Sequence, residues 1–266
     1  MGGTGEPYQN IIYEKDGHIA IITLHRPDRA NAMSAALLRE LDQAVNDVAR
    51  DDEVRVLIVT GAPRRNGRPC FCPGGDLKEF AAGGVAFMAG KAIQKAREAF
   101  EKIEDLPIPS IAAVDGPAYA GGFVLAVSCD MRIVAETAEF NDAHVRQMGI
   151  IGNDALNPRL ARLVGPAKAL EISLTGDPIS GKEAYRIGLA NQVYPSGVHL
   201  EKARDLAAKI AERRPAAVRM AKLANRAGVD LALREARIAA YFWGESILDT
   251  VEGSKAFVEK RKPKYG

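Results

Sequence analysis

Two glycine-bearing segments constrain the fold of this chain more than any other feature. The first is Cys70-Phe-Cys-Pro-Gly-Gly-Asp-Leu-Lys-Glu79 and the second is Val114-Asp-Gly-Pro-Ala-Tyr-Ala-Gly-Gly122. Each places glycines where a backbone N–H can approach a ligand without obstruction by a side chain. Two such N–H groups that converge on one point would hold a developing oxyanion. We therefore expect a fold that brings these segments together to stabilise an enolate or a tetrahedral adduct.

The first part of the chain alternates strand and helix patterns. Short β-type runs at residues 11–13 and 18–24 are separated by Lys15-Asp16-Gly17, which is a hairpin signal. Ser34 can cap a helix whose apolar residues recur at helical spacing and which ends before Asp51. A compact apolar strand follows at Val54–Thr60. This βαβ rhythm predicts parallel strands covered by helices.

Later segments extend the pattern and suggest a division of the chain. After an irregular stretch the predicted elements are a helix from Asp76 interrupted at Gly83-Gly84, a helix at 91–106, a strand at 110–114, a helix opened by Gly121-Gly122 and a strand at 131–135. Beyond Gly149 the pattern becomes helical, and Pro195-Ser196-Gly197 is rich in breakers. We predict a core over residues 1–197 and a helical region over residues 198–266.

Composition excludes several classes of protein. The 266-residue chain is 47% hydrophobic and 26% charged, as is usual for a soluble protein, and its formal charge of +2 argues against a general nucleic-acid binder. No apolar run reaches the ~20 residues of a bilayer span, and the N-terminus carries no apolar secretory core. Three cysteines suit a reduced compartment better than a disulfide framework. We expect a cytoplasmic protein that binds neither nucleic acid nor membrane.

The motifs of several enzyme classes are absent from the sequence. Cys70-Phe-Cys72 has no partner pair at metal-ligand spacing, so no metal site is predicted. There is no Gly-x-Ser-x-Gly elbow, no phosphate-binding P-loop, and no dinucleotide-binding glycine motif after a predicted strand. The histidines at positions 18, 25 and 199 have no motif support, and we expect structural roles for them.

The two glycine segments resemble the oxyanion-hole signatures of the enoyl-CoA hydratase/isomerase, or crotonase, superfamily. The resemblance extends to ITLHRPDRANAMS near the start, LVGPAKALEISLTGDPISGKEAYRIGLANQV in the middle and FVEKRKPKY at the end. It implies an α/β protein with a crotonase-type ββα spiral core and a helical C-terminal region that mediates trimerisation, as a homotrimer or a dimer of trimers. It also implies an acyl-CoA thioester substrate, with coenzyme A as part of the substrate and no further cofactor.

The resemblance assigns the two oxyanion donors and also identifies a departure from the family pattern. The donor N–H groups fall on Gly75 and Gly121, and Gly121 lies at a predicted helix start, where free N–H groups favour an anion. The two glutamates of the family's hydratases fall on Val124 and His144. Because valine cannot accept a proton, the usual two-carboxylate addition of water cannot be assigned here.

Two residues are candidates to replace the missing glutamates. His144 can act as base or acid near neutral pH, and Asp154 matches a position where other members of the superfamily carry an acidic group. Asp142 lies two residues before His144. On an extended segment the two would face the same side, and the carboxylate could orient the ring.

Positions for substrate binding follow from the resemblance as well. Those that match nucleotide-lining or pantetheine-flanking residues are Arg29, Ala30, Pro73, Asp76 and Leu77, and those that match tail residues near the adenine are Phe257 and Lys260. A cation at Lys260 suits a ligand phosphate and an aromatic ring at Phe257 suits stacking on the base.

The reaction type stays open at this stage. Hydration, isomerisation and C–C cleavage all use an enolate-stabilising site, and a specialised relative fits better than a standard short-chain hydratase. One alternative is a protein that binds acyl-CoA without turnover. Another is a hydrolase that cleaves a C–C bond of a β-dicarbonyl substrate lacking CoA.

Overall fold

The computed structural model describes residues 8–88, 91–151, 156–245 and 251–265. The strands are β1 (Ile11–Asp16), β2 (Ile19–Leu24), β3 (Val56–Gly61), β4 (Ser110–Val114), β5 (Pro117–Tyr119), β6 (Met131–Ala135), β7 (Glu139–Asn141), β8 (Ile179–Ser180) and β9 (Gln192–Tyr194). The helices are α1 (Ala35–Arg50), α2 (Leu77–Met88), α3 (Lys91–Asp105), α4 (Gly121–Ser128), α5 (Leu156–Val164), α6 (Pro166–Thr175), α7 (Gly181–Arg186), α8 (His199–Ala211), α9 (Pro215–Asp230), α10 (Leu233–Glu245) and α11 (Glu252–Val258).

A six-stranded sheet forms the centre of the molecule. Its strand order is β1-β2-β3-β4-β6-β9, in which β1 and β2 form an antiparallel hairpin and the other neighbours are parallel. The predicted hairpin turn is present, with Gly17 at a φ of 57°. The prediction of an α/β protein built on parallel strands is confirmed.

The inner strands of the main sheet, such as β3 and β4, are buried on both faces. Leu57 and Val59 of β3 point into a large cluster that includes apolar residues of α1, α3 and α4. Val56 and Ile58 point into a second cluster with Ala203 and other small residues of α8. Strands covered on both faces by helices carry uninterrupted apolar runs, which explains the composition of β3.

Helix α1 illustrates how the local sequence specifies an element. The side chain of Ser34 accepts a hydrogen bond from the N–H of Leu37, as expected for an N-cap. The buried residues of α1 recur at helical spacing and include Leu37, Leu41, Val45 and Val48. The predicted cap and the predicted end before Asp51 are both confirmed.

A second, three-stranded sheet was not predicted from the sequence. Its order is β5-β7-β8, with β5 parallel to β7 and β7 antiparallel to β8. Each of these strands is only two or three residues long, which is too short for an alternation pattern to emerge. This small sheet joins the second glycine segment to the segment that carries His144.

Two further features differ from, or add to, the sequence-based expectations. Helix α2 continues through Gly83-Gly84, where we expected a break. Beyond the predicted boundary at residue 197, α8 packs on the main sheet, and α9 packs against α10. Among the described residues, no helix combines the length and the apolar character needed to cross a membrane.

Candidate active site

Short backbone ladders hold the first glycine segment in place. The N–H of Met33 donates to the carbonyl of Gly74 at 2.8 Å, and the N–H of Asp76 donates to the carbonyl of Met33 at 3.0 Å. On the other side, the N–H of Cys72 donates to Pro117 and the N–H of Tyr119 donates to Cys72, both at 2.9 Å. The first segment therefore lies between the start of α1 and strand β5.

The two glycine segments meet at Gly74 and Gly121. A Cβ built on Gly74 would lie 3.3 Å from the backbone nitrogen of Gly121 and 3.0 Å from the Cβ of Ala120. A Cβ on Gly121 would lie 3.8 Å from the Cα of Gly74. Within the described part of the chain, the N–H groups of Gly75 and Gly121 form no hydrogen bond. The structure thus brings the two predicted donor segments together; that Gly75 and Gly121 act as oxyanion donors stays a prediction.

Ala120 lies in a strained conformation directly before Gly121. Its φ of 45° and ψ of −119° correspond to a turn position normally occupied by glycine. The following helix α4 is buried along almost its whole length and begins at Gly121, so its positive dipole end is directed at this junction. Strain of this kind persists only where the surrounding structure holds it, and it clusters at functional sites. No signal in the sequence indicated it.

The small sheet brings the end of β7, three residues before His144, to the same junction. In the β5–β7 pair, Tyr119 lies opposite Asn141, and the N–H of Ala120 donates to the carbonyl of Asn141 at 2.9 Å. His144 begins a single π-helical turn, His144–Met148, three residues after this contact. Insertions of this type are frequent at functional sites.

Asp142 and His144 form a buried pair. The Nδ1 of His144 lies 2.8 Å from the Oδ1 of Asp142, and these side chains are 13% and 2% exposed respectively. The expected contact is therefore present, but the expected reason is wrong. Strand β7 ends at Asn141, and the two side chains meet through a turn in which the N–H of His144 also donates to Asp142 at 3.3 Å.

The ionised form of Asp142 is favoured despite its burial. Desolvation acts to raise the pKa of this carboxyl, but hydrogen bonds from His144 and Ser173 outweigh it and lower the pKa below its usual value. The negative charge persists at neutral pH, where it can orient the imidazole ring and stabilise its protonated form.

The remaining predicted catalytic positions contribute less to the described site. Val124 lies in the first turn of α4, is fully buried and packs within the main apolar cluster. It supplies no proton-transfer group. Asp154 lies outside the described residues, so its predicted role stays a prediction.

Arg29 and Ala30 lie at the end of a short 3₁₀ turn after β2. Arg29 is exposed, whereas Ala30 adopts a left-handed conformation and its carbonyl accepts a hydrogen bond from Cys70. This contact ties the predicted nucleotide-lining loop to the first glycine segment. The assignments to the nucleotide stay predictions.

Pro73, Asp76 and Leu77 flank Gly75 as expected from the chain order, but they differ in exposure. Leu77 is exposed and Pro73 is half-buried. The carboxylate of Asp76 is buried, where it pairs with Arg26 at 3.1 Å and accepts the N–H of Lys78 at 3.2 Å. The side chain of Asp76 is therefore occupied within the protein, and its predicted binding role remains a prediction.

Phe257 and Lys260 lie on α11 and just beyond it. Both are exposed, and the N–H of Lys260 donates to the carbonyl of Phe257 at 3.2 Å. None of their described hydrogen bonds reaches the glycine segments. Their roles toward the adenine end stay predictions.

Asn31 is a residue of the site framework that the sequence analysis did not identify. It is fully buried in a left-handed conformation, and its Nδ2 donates to the carbonyls of Ala62 and Cys70 at 2.7 and 3.0 Å. It thereby holds the loop that leads into the first glycine segment. Its place in Arg29-Ala-Asn31, directly after a predicted strand, is the signal that could have identified it.

The cysteines beside this framework are buried. The Sγ of Cys72 donates to the carbonyl of Asn31, and burial raises the pKa of Cys72 to about 12. Burial likewise raises the pKa of Cys70. A thiol with a raised pKa is a poor nucleophile, so neither cysteine has the character of a catalytic thiolate.

Comparison with known proteins connects this geometry to one family. Residues 14–266 match the family model described as enoyl-CoA hydratase/isomerase. The chain is 37% identical to a crotonyl-CoA hydratase of Syntrophomonas wolfei, over 97% of this chain and 98% of that protein. It is 34% identical to a short-chain-enoyl-CoA hydratase of Clostridium acetobutylicum, over 95% of this chain and 96% of that protein.

Solved structures agree with the sequence matches. The crystal structure of an enoyl-CoA hydratase from Bacillus anthracis superimposes with a TM-score of 0.91 at 38% identity. The match covers 97% of this chain and 99% of that one. The crotonase-type fold is therefore confirmed over nearly the whole length.

Proposed function

The chain belongs to the enoyl-CoA hydratase/isomerase family, and we propose that it acts on an acyl-CoA thioester through an oxyanion hole formed by Gly75 and Gly121. In this role the two backbone N–H groups donate hydrogen bonds to the thioester oxygen as negative charge develops on it. Because the enolate is stabilised, the C–H bond at the α-carbon becomes more acidic. The acyl-CoA is the substrate, and the chemistry needs no other cofactor.

One observation carries the proposal. Gly74 and Gly121 come from distant parts of the sequence yet pack against each other, and the N–H groups of Gly75 and Gly121 have no hydrogen-bond partner among the described residues. Backbone N–H groups are rarely left without a partner unless a ligand or water takes that place. Loss of a single donor of this kind typically lowers kcat by a factor of about 10²–10³.

We propose His144 as the group that moves the substrate proton. It follows by three residues Asn141, whose carbonyl accepts the N–H of Ala120, and it is paired with an ionised carboxylate, whereas Val124 offers no acid or base. The acid/base set therefore lacks both glutamates of the family's hydratases. Hydration and double-bond isomerisation both fit, because one base can relay the proton while the enolate is held. In hydration the proton passes from the water that adds at the β-carbon to the α-carbon, and in isomerisation it passes from the α-carbon to the γ-carbon. Relatives named as hydratases support this reaction class.

The proposed substrate-binding surface has two parts. Arg29, Ala30, Pro73, Asp76 and Leu77 would line the nucleotide and the pantetheine arm, and Phe257 with Lys260 would meet the adenine end. The exposure of Arg29 and Lys260 supports contact with phosphate, since exposed cations can pair with it at little desolvation cost.

We also propose assembly as a trimer or a dimer of trimers. Helix α10 supports it, because Leu233, Tyr241 and Phe242 are 82%, 64% and 72% exposed in one protomer. Apolar side chains grouped in this way usually mark a surface that is covered in the assembly. Sedimentation equilibrium at micromolar concentration measures this directly, and a monomer would contradict it.

Exchange of α-protons with deuterated water tests the proposed chemistry. A saturated acyl-CoA such as butyryl-CoA cannot be hydrated, so loss of its α-protons reports enolate formation alone. We expect exchange catalysed by the wild-type protein, abolished in His144→Ala and retained in His18→Gln, a surface control. Binding of thioesters without exchange or product would instead identify a protein that binds acyl-CoA without turnover.

A C–C bond hydrolase of a β-dicarbonyl is a second candidate, and the Asp142–His144 pair favours it. A histidine oriented by a carboxylate can activate water for attack on a carbonyl held in an oxyanion hole. Such an enzyme would cleave its substrate at the same rate with and without excess free CoA. Competitive inhibition by CoA would exclude this candidate.

A further inference from the structure

The first glycine segment and helix α2, which follows it, are attached to the start of α1 at two places. The first attachment is the backbone of Met33, whose N–H donates to the carbonyl of Gly74 at 2.8 Å and whose carbonyl accepts the N–H of Asp76 at 3.0 Å. The second is a side chain of α2, because the Oε2 of Glu79 accepts the N–H of Ala35 at 3.0 Å. The first turn of α2 is thereby tied to the first turn of α1.

The attachment at Met33 determines the side to which the N–H of Gly75 points. Met33 and Gly75 form an isolated parallel bridge, in which Met33 bonds to the residues before and after Gly75. In such a bridge the N–H of the central residue points away from the partner strand, because the partner bonds only to its neighbours. Both hydrogen bonds end on Met33, so rotation of the segment about this one residue would redirect the N–H of Gly75.

The hydrogen bond between Glu79 and Ala35 has an electrostatic basis. Helix α1 carries no acidic residue in its own first turn. Ser34 accepts the N–H of Leu37, and Glu79 accepts the N–H of Ala35 from the neighbouring helix. An N–H at a helix start has no partner within the helix, and a carboxylate is favoured at the positive end of the helix dipole. The bond is therefore charge-assisted and stronger than one between neutral groups.

The residues beside Glu79 do not replace this link. The carboxylate of Asp76 pairs with Arg26 at 3.1 Å, so it ties the segment to the loop after β2 and not to α1. Leu77, the first residue of α2, is 60% exposed. Among the described hydrogen bonds, the one between Glu79 and Ala35 is thus the link between a side chain of α2 and the start of α1.

We propose that Glu79 is a positioning residue for the oxyanion donor Gly75. By holding the first turn of α2 against the start of α1, its carboxylate prevents the glycine segment from rotating about Met33 and keeps the N–H of Gly75 directed at the thioester oxygen. This role rests on the proposed function, because the direction of this N–H affects turnover only if it donates to a substrate. Glu79 itself touches no reacting atom.

Two substitutions of Glu79 test this role through the kinetics of α-proton exchange from butyryl-CoA. Alanine removes the acceptor, whereas glutamine keeps an oxygen that can accept the N–H of Ala35. We expect Glu79→Ala to lower kcat about tenfold with little change in KM, because the donor is misdirected and not lost. Glu79→Gln should recover most of the wild-type kcat.

Glu40→Ala is the matched control for these variants. Glu40 is another half-buried glutamate that links a neighbouring segment to α1, since its carboxylate accepts the N–H groups of Gln9 at 3.0 Å and Asn10 at 2.7 Å. It also accepts the side-chain amide of Asn10. Glu40→Ala should therefore lower the urea midpoint at least as much as Glu79→Ala does, yet leave kcat unchanged.

Infrared spectra of bound butyryl-CoA labelled with ¹³C at the thioester carbonyl report the donor hydrogen bonds directly. Donors in an oxyanion hole polarise the carbonyl and so lower its stretching frequency. We expect a lower frequency on the wild-type protein than in water, a return toward the water value in Glu79→Ala, and the wild-type value in Glu40→Ala. A purely structural role of Glu79 in stabilising α1 would not change this frequency.

Three results would overturn the positioning role. They are a folded Glu79→Ala variant with the wild-type carbonyl frequency and kcat, equal losses of kcat in Glu79→Ala and Glu40→Ala, and equal losses in Glu79→Ala and Glu79→Gln. If the frequency on the wild-type protein equals that in water, the proposed oxyanion hole is contradicted and the positioning role is contradicted with it. A lowered wild-type frequency that persists in Glu79→Ala contradicts the positioning role alone.

Discussion

At the scale of single residues, the glycines of the site serve different purposes. Gly74 has a φ of 97°, which few other residues adopt. Gly122 has no room for a side chain, because a Cβ would lie 2.0 Å from the carbonyl oxygen of Cys72. Gly121 has neither restriction, since its φ lies outside the left-handed region and a Cβ would meet the Sδ of the flexible Met33 side chain at 3.2 Å and the Cα of Gly74 at an ordinary contact distance of 3.8 Å. The proposed oxyanion donor can therefore be altered without loss of the fold.

Gly121→Val is expected to remove activity while preserving the folded protein. The added methyl groups would occupy the position of the thioester oxygen, and turnover should fall by about 10² or more. Thermal unfolding should remain within a few degrees of the wild type. Gly122→Ala is the contrasting change, expected to lower the free energy of unfolding by about 3 kcal/mol or more. Wild-type turnover in a folded Gly121→Val variant would refute the donor assignment.

At the scale of elements, α2 begins with a capping carboxylate that is also an ion-pair partner. Asp76 accepts the N–H of Lys78, which is otherwise one of the free donors at a helix start. It also pairs with Arg26, whose Nη1 further donates to the carbonyl of Ala32. One side chain thus couples the start of α2 to the loop after β2. These are the two segments predicted to bind the substrate.

Asp76→Ala should lower the free energy of unfolding by about 2 kcal/mol. The change removes the cap and leaves the partly buried guanidinium of Arg26 without its carboxylate. Asp76→Asn keeps an acceptor for the cap and should cost about half as much. Urea denaturation measures both, with the exposed Asp52→Ala as the control. A cost below about 0.5 kcal/mol for Asp76→Ala would contradict this account.

At the scale of the whole molecule, Asp115 links the core to the helices that follow it. This buried carboxylate lies between β4 and β5 and accepts hydrogen bonds from Thr137 at 2.5 Å and Ser196 at 2.8 Å. The Nδ1 of His199, at the start of α8, lies 3.5 Å away and has no hydrogen bond among the described residues. The predicted structural role of His199 fits this location.

Stability is expected to fall below neutral pH because of His199. Burial lowers the pKa of this residue below its ordinary 6.5, although the charge of Asp115 opposes the change. The unfolded chain therefore binds the proton more tightly than the folded protein does. His199 does not reduce the free energy of unfolding above pH 6.5. Below that pH its contribution lowers the free energy of unfolding progressively, until the pH reaches the lower pKa of the folded state.

Urea midpoints measured between about pH 7.5 and 5 test this dependence. His199→Gln should flatten the profile in this range, whereas His18→Gln, at an exposed position, should leave it unchanged. Asp142 contributes in a separate, more acidic window, because its lowered pKa adds stability that is lost only as the pH falls below about 3.8. If the urea midpoint changes with pH equally in the wild type and in His199→Gln, His199 is not the cause of the pH dependence.

Local sequence determined much of this protein. The cap at Ser34, the apolar spacing of α1, the runs of β2, β3 and β4 and the hairpin at Gly17 are encoded by neighbouring residues, because caps, turns and periodicity act over a few positions. The glycine segments and their resemblance to known signatures identified the family and the candidate donors. The departures at Val124 and His144 were equally visible in the sequence.

The small sheet, the strain at Ala120 and the contact between Asn141 and Gly176 follow from the tertiary structure and not from local sequence. Strands of two or three residues carry no periodic pattern, and their pairing depends on which segments packing brings together. Asn141 and Gly176 are distant in the chain, and the Nδ2 of Asn141 donates to the carbonyl of Gly176 because α6 folds back onto the end of β7. Contacts of this kind depend on the packing of the whole core, whereas helices and turns depend mainly on adjacent residues.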